Sequence, residues 1–600
     1  MLKRKRLLPI LLIMACMLAT VLYAAWIQSG DLLSQVRFQD STHGQALDLF
    51  YDADRDSYVL FLPPFTEPQD ITHDCPSGVR VEYNLDTALE ESGLLTISAG
   101  LRSQQLRLRL MRTSAIPSTF IHAEEGLIDY LNQDKGNTRD VVVTMVDAQG
   151  TPMLRSTATM YGRGNGSWEG TAKRPYNLEF PQEISVGSFT DVTKLCLLAE
   201  FSDESKLRNS LAYYAGKELG VDYASPYQYT NLYVNGEYMG LYGIVTKQEY
   251  KKHLEEDNIQ AVFEIASGQN RVEFESSLGW RINVMQGSRQ QVQLLIADFE
   301  EALIQDDWEQ IESFIDAESV AQKYALEEFL ANLDLAYASQ YFYVDGAGKI
   351  HAMLPWDYDF TLGSSYEYYN NLQAWELKVY RNTNSWYYLL MEQFPFRGIA
   401  AEVWKNQFTD EFLQKLEDHL LQDIEAIGSS WTCDKLRWKQ EPPFSQYDTA
   451  SGVEELEGFY DLFRTYFYQR RDFLLNYYTH WWDYSHLHFY GIRWGNLIFP
   501  NGANLWDCLE GATILDVNVP GEKFLGWYLG DTPLEEVAVM PEWGEVQGYS
   551  EVIERSYTSE PFWWLRFAVT AAFGAMTLGL FLVARKDWRK KPRVRDKIPG

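Results

Sequence analysis

Residues 325–363, ALEEFLANLDLAYASQYFYVDGAGKIHAMLPWDYDFTLG, constrain this chain most, because three carboxylates stand beside an abrupt change of local pattern. They are Asp334, Asp357 and Asp359. Upstream, Tyr324, Ala325, Leu326, Phe329, Leu330 and Leu333 recur at spacings of three and four, with Asp316 as N-cap and Glu318 in the first turn. That predicts a helix with Asp334 at its end. Downstream, Gln340 to Val344 and Lys349 to Leu354 read as two strands of a hairpin around Asp345-Gly346, the second delivering Asp357 and Asp359. On an extended chain these two acids face one side and repel unless a cation lies between them. A magnesium or manganese ion held by one or two carboxylates, with phosphate oxygens completing its shell, is one such cation. A solvated strand end is the alternative, and the flanking Leu354, Pro355, Trp356, Phe360 and Leu362 argue against it.

A chain of 600 residues has room for several domains, and 46% hydrophobic with 15% aromatic content excludes disorder for most of it. Two stretches do not read as globular. Lys3 to Arg6 precede an uncharged run, Leu7 to Ile27, long enough to span about 30 Å as a helix. This is a signal anchor or a cleaved signal peptide. Phe567 to Ala584 follows Trp563 and Trp564 and precedes Arg585, Lys586, Arg589, Lys590 and Lys591, the pattern of a transmembrane helix with its positive end in the cytoplasm. The span between is then extracytoplasmic, and it is more acidic than the whole chain, whose net charge is −32. Such a surface repels nucleic acid and attracts cations or basic polypeptides. Of five cysteines, Cys16 falls in the first apolar run; Cys75, Cys196, Cys433 and Cys508 show no metal-ligand spacing, and disulfides and buried thiols both remain open.

Residues 30 to about 115 alternate with period two and predict a small all-β domain. From Phe120 the pattern is mixed. Arg163-Gly164-Asn165-Gly166-Ser167 either cradles an anion or forms a tight turn. Leu195 to Ala199 reads as a buried strand, and a helix begins at Ser202-Asp203-Glu204 with Arg208 and Asn209 in its early turns. Asn235-Gly236 marks a hairpin. Residues 251 to 315 are acidic and read as mostly helical, Trp386 to Tyr478 as helical and aromatic, and 490 to 550 as short strands. His480, His486 and His488 lie among Trp and Tyr without helical ligand spacing, which favours aromatic packing over a metal site. Nothing sets two carboxyls at the separation that glycoside cleavage needs.

Five stretches in this order, RGNGSW at 163–168, KRPYNLEF at 173–180, LLAEFSDESKLRNSLAYYAGKELG at 197–220, NLYVNGEYMGLYGIV at 231–245 and ANLDLAYASQYFYVDGAGKIHAMLPWDYDFTLG at 331–363, resemble the CotH kinase family of spore-coat-type atypical protein kinases. The resemblance spans about residues 120–475. It implies an α+β chain with a divergent protein-kinase-like core, here flanked by small all-β modules and two transmembrane segments. It also implies ATP and Mg2+ or Mn2+ as cofactors, and transfer of the γ-phosphate to Ser or Thr of a protein substrate. Carried over, it makes Asp357 and Asp359 metal ligands, gives Asp359 and Asp334 catalytic roles with Asp334 orienting the acceptor hydroxyl, and sets Arg163, Lys173 and Arg208 to hold phosphates. The expected order is a basic cytoplasmic end (1–6), the first apolar segment (7–27), an all-β domain (28–117), the CotH-like domain (118–480), a β module (481–558), a transmembrane helix (562–584) and a basic cytoplasmic tail (585–600). Two positions depart from the family pattern: Glu179 where its K-P-Y-x-I-K block ends in lysine, and Lys247 where glutamate is common. A charge-swapped pair there would keep the fold and weaken phosphate binding, so a second expectation is an inactive scaffold in cell-surface or spore-envelope assembly.

Overall fold

The computed structural model describes residues 31–84, 92–164, 166–169, 171–266, 272–359, 361–363, 382–438 and 453–480, and strand segments between 487 and 552. These fall into two compact units. In the second unit, strand Glu522–Leu529 pairs antiparallel with residues 546–552.

Seven strands of the first unit close into a barrel. Going round it, Thr138–Val146, Pro152–Gly162, Tyr176–Val186, Phe189–Leu198, Glu237–Val245, Gln228–Val234 and Ser118–His122 pair in turn, and the last returns to the first. Every pair is antiparallel except Gln228–Val234 beside Ser118–His122. Period two decides which residues fill it. Val141, Val143, Met145, Met160, Leu178, Leu195, Leu197 and Ile244 belong to one buried apolar cluster. The register partners Tyr161, Asn177 and Cys196, and Glu179 opposite Lys194, fall on the other face.

Ahead of the barrel, residues 37–112 form a three-stranded and a five-stranded sheet around their own apolar cluster. After it, Phe274–Glu275, Arg281–Gln286, Ala261–Ile265, Gln340–Val344 and Ile350–Met353 make a second five-stranded sheet. Three of these strands lie in the stretch expected to be mostly helical. Ala261–Ile265 is only five residues long and almost wholly buried, so it carries no alternation to read. Helices Arg289–Ile304, Ala317–Phe329, Trp386–Glu392, Phe394–Gln407, Asp410–Arg437 and Gly458–His480 share one large apolar cluster with this sheet. Asp316 caps the Ala317–Phe329 helix as expected, accepting from Ser319 N at 2.9 Å.

The expected fold class is corrected by these observations. The architecture is a mixture of helices and strands with a closed barrel, and among the described residues no helix is long and apolar enough to cross a membrane. Asp410–Arg437 has the length, but Phe412, Leu413, Leu416 and Leu420 alternate with Asp, Glu and Lys, a stripe that packs on protein. The apolar runs Leu7 to Ile27 and Phe567 to Ala584, both basic ends, Cys16, Cys508, Asn165 and His486 lie outside the described residues. Cys75, Cys196 and Cys433 are free thiols.

The Asp410–Arg437 helix locks onto the barrel. Ser430 Oγ donates to Asn231 Oδ1 at 2.6 Å and accepts from Ser114 N at 2.8 Å. One turn on, Asp434 Oδ1 accepts from Leu241 N at 2.9 Å and from Lys173 Nζ at 2.6 Å. Gly240 must be glycine here: its φ is +112°, and a Cβ would strike Asp434 and Lys173. Gly240→Ala is expected to destabilise the chain by about 3 kcal/mol or more, through backbone strain and a displaced buried ion pair. A urea unfolding midpoint equal to that of the unsubstituted chain would contradict this.

Candidate functional site

Past Met353 the chain leaves the sheet. Leu354 (φ 47°) and Asp357 (φ 70°) are left-handed with Pro355 between them, so the aspartates sit on a turn and not on the strand expected to deliver them. Tyr358 points inward, fully buried, and its hydroxyl donates to Glu327 Oε1 at 2.8 Å. Glu327, on the Ala317–Phe329 helix, also accepts from Lys323 Nζ and Asn332 Nδ2. Asn332 Oδ1 in turn accepts from Asp334 N at 3.0 Å, at the start of the short turn Leu333–Ala336. One buried carboxylate therefore holds both the Asp334 segment and the Asp357–Asp359 turn. Ser339 Oγ, from the loop between them, donates to Asp357 Oδ2 at 3.3 Å.

Two further residues complete the acidic end. Asn209, at the start of helix Arg208–Glu218, donates from Nδ2 to Asp359 Oδ1 at 2.6 Å and to Glu200 Oε2 at 3.0 Å, while its Oδ1 accepts from Tyr358 N at 3.2 Å. Glu200 is buried, left-handed (φ 51°), and accepts from Tyr227 OH at 3.0 Å. Sequence reasoning noticed Asn209 only as a helix-start donor and did not single out Glu200. The available signal was an acid directly after the apolar run Leu195 to Ala199, the same signature that marks Asp357.

Glu200, Asn209, Asp357 and Asp359 line a cavity with about 460 Å³ of empty space, shared with Arg163, Tyr213 and Trp356, while Asp334 is not among its lining residues. A wider cleft of about 2200 Å³ has Arg163, Trp356 and Asp357 in common with it and adds Lys194, Lys247 and Lys251. An acidic end thus meets a basic wall. Arg163 stands at the junction, its guanidinium 5.3 Å from the Trp356 ring centre. The other two cations expected to hold phosphate have partners inside the protein. Lys173 is fully buried and bonds Asp434 and Leu241 O, the latter at 2.6 Å. Arg208, also fully buried, pairs with Asp203 and donates from Nε to Thr361 O at 3.0 Å. Trp168, in the short helix Gly166–Glu169, packs its ring on Gly162 and lies edge-on to Tyr176 at 6.1 Å. Glu179 and Lys247 take separate partners: Glu179 accepts from Tyr161 OH at 3.0 Å, and Lys247 lies 3.9 Å from Glu264.

Among the described residues no group of three or more His, Cys, Asp or Glu side chains is set to close round a metal. The donor set fits a divalent cation completed by phosphate, since Mg2+ takes one or two carboxylates and fills its shell from substrate and water. The carboxyls also carry the electrostatic mark of such a site. Burial first, then the neighbouring acids, push Glu200 up to about 8, Asp334 to about 7 and Asp359 to about 6. Burial likewise lowers Lys247. The folded chain therefore keeps protons on these acids where the unfolded chain has lost them. Their stabilising contribution is full below about pH 4 and is lost as pH rises through 6 to 8. Without divalent cations, the melting temperature is expected to fall between about pH 5 and pH 8, and Asp359→Asn to remove roughly 2–3 kcal/mol of that dependence. Parallel pH profiles for the two proteins would refute it.

Comparison with curated proteins finds no match to the chain. A family model, CotH kinase protein, matches residues 162–474, more than half of the 600. The match begins at the last barrel residue before Arg163, takes in Glu200, Asn209, Asp334, Asp357 and Asp359, and ends within helix Gly458–His480. With that match over more than half of its length, the chain belongs to the CotH kinase protein family.

Proposed function

We propose that this chain transfers a phosphoryl group from ATP to a serine or threonine hydroxyl of a protein substrate. The family implies ATP and a divalent metal in general. The observation that carries the finer reading is the meeting of the two cavities: Arg163 and Asp357 line both, Glu200 and Asp359 line the first, and lysines 194, 247 and 251 line the second. Phosphoryl transfer asks for this division, with positive groups on the phosphates and carboxylates at the metal and at the nucleophile. In this reading Asp357 and Asp359 hold the cation, which when bound neutralises phosphate charge. Asp334 orients the acceptor hydroxyl and takes its proton, a role suited to a carboxyl lifted to about 7 by burial and by its acidic neighbours. Arg163 bears on the phosphates, and Asn209 keeps Asp359 turned toward the cavity. A chain with net charge −32 favours a basic protein substrate.

A second reading, a scaffold without catalysis, is favoured by one observation: Lys173 and Arg208 are spent on Asp434 and Asp203. Labelled ATP with Mg2+ or Mn2+ separates the two. The full chain is expected to label itself or a basic acceptor protein, and Asp359→Ala or Asp334→Asn to cut the rate on the order of 100-fold or more. A chain as inert as its Asp359→Ala variant would leave the scaffold.

A further inference from the structure

Helix Arg208–Glu218 presents a second residue to the acidic cavity, four positions beyond Asn209 and so on the same face. Tyr213 lines the cavity and is only 1% exposed, yet its hydroxyl has no hydrogen-bond partner among the described residues. The ring cannot swing the hydroxyl elsewhere. It lies edge-on to Trp356 at 6.3 Å and to Tyr358 at 5.9 Å, and tilted against Tyr227 at 5.9 Å. Arg163, Asp357 and Glu200 line the same cavity as the tyrosine. A buried hydroxyl left unpaired is costly, and most such groups find a partner. A phenol with its proton held well above the usual tyrosine range, through burial, is a donor at every working pH. The neutral hydroxyl can donate or accept, and beside Arg163 an anionic oxygen that accepts from it satisfies both groups at once.

We infer that Tyr213 is a substrate-binding residue whose hydroxyl donates a hydrogen bond to a phosphate oxygen of the bound nucleotide, alongside Arg163. The inference rests on the phosphoryl-transfer reading and adds to it a neutral donor at the phosphate, fixed on the same helix as Asn209.

Tyr213→Phe removes one oxygen and keeps the ring, so the aromatic packing survives. Calorimetric titration of the full chain with Mg-ATP and, separately, with Mg-tripolyphosphate is the test. The variant is expected to keep or slightly raise the melting temperature of the free protein, since an unpaired buried group is gone, and to bind both ligands about tenfold more weakly. Tyr233→Phe, which deletes a hydroxyl from a buried tyrosine of a different apolar cluster, is expected to bind like the unsubstituted chain. Equal affinity of Tyr213→Phe and the unsubstituted chain for both ligands would overturn the inference and leave the kinase reading intact. A loss for Mg-ATP alone would also overturn it, because the contact would then lie on the nucleoside. If the unsubstituted chain bound neither ligand, the kinase reading would fall and this inference with it.

Discussion

The buried ion pair between Lys173 and Asp434 is the constraint on which much else depends. Its Nζ and Oδ1 lie 2.6 Å apart with both side chains almost wholly out of water, and they bracket the Leu241 peptide, Lys173 on its carbonyl and Asp434 on its N–H. Burial lowers the lysine to about 8, against the pull of Asp434 in the other direction. Such a pair adds little net stability over an apolar replacement, but removing one partner strands the other. What it secures is registry, since it joins residues 261 positions apart and fixes the long helix on the barrel. Asp434 also lies 3.7 Å from Lys206, whose Nζ donates to Glu200 O at 2.7 Å. The acidic end of the site is thus tied, through Lys206, to a helix that does not line the cavity.

That arrangement changes what the basic residues of the chain mean. Of the three expected phosphate-binding cations, Arg163 alone opens to the cavity, while Lys173 and Arg208 hold the frame. Arg208 does so beside the aspartates: its guanidinium bonds Thr361 O, two residues past Asp359, and Asp203 accepts from its side chain and, at 2.9 Å, from its backbone N–H. The positive wall is made by other residues. Lys194, directly opposite Glu179 in the strand register, lines the cleft and donates to Tyr161 OH at 2.5 Å, and the same hydroxyl donates to Glu179. The charges at 179 and 247 are therefore not one pair exchanged. Each is balanced locally, by Lys194 and by Glu264.

Local pattern carried a good deal of this into the sequence. The capped helix at 317–329, the hairpin at 340–353 and the acids 334, 357 and 359 each rest on neighbours within a few positions, where propensity and spacing speak. Barrel closure does not show there, because alternation tells which side of a strand is buried and not whether the last strand returns to the first. The strand at 261–265 was hidden by burial on both faces. The turn at 354–359 was hidden by left-handed backbone at Leu354 and Asp357, which residue type alone does not announce. Lys173 misled because the partner that occupies it, Asp434, lies 261 positions away, and Arg208 because burial, which local sequence does not show, commits it to Asp203 and Thr361 O.

The remaining step concerns why the acids stand where they are costly. Three carboxyls raised well above their usual range are a standing electrostatic penalty at neutral pH, so the protein must hold them by other means. It does so from behind. Tyr358 lies between Asp357 and Asp359 and is drawn inward to Glu327, which turns its two neighbours outward, and Asn332 anchors Asp334 to that same Glu327. Lys323 compensates Glu327 inside the core, so the anchor carries no uncancelled charge of its own. The repulsion is thereby confined to the cavity side. The energy that holds the acids together there comes from a buried network behind them, Glu327 with Lys323, Asn332 and Tyr358.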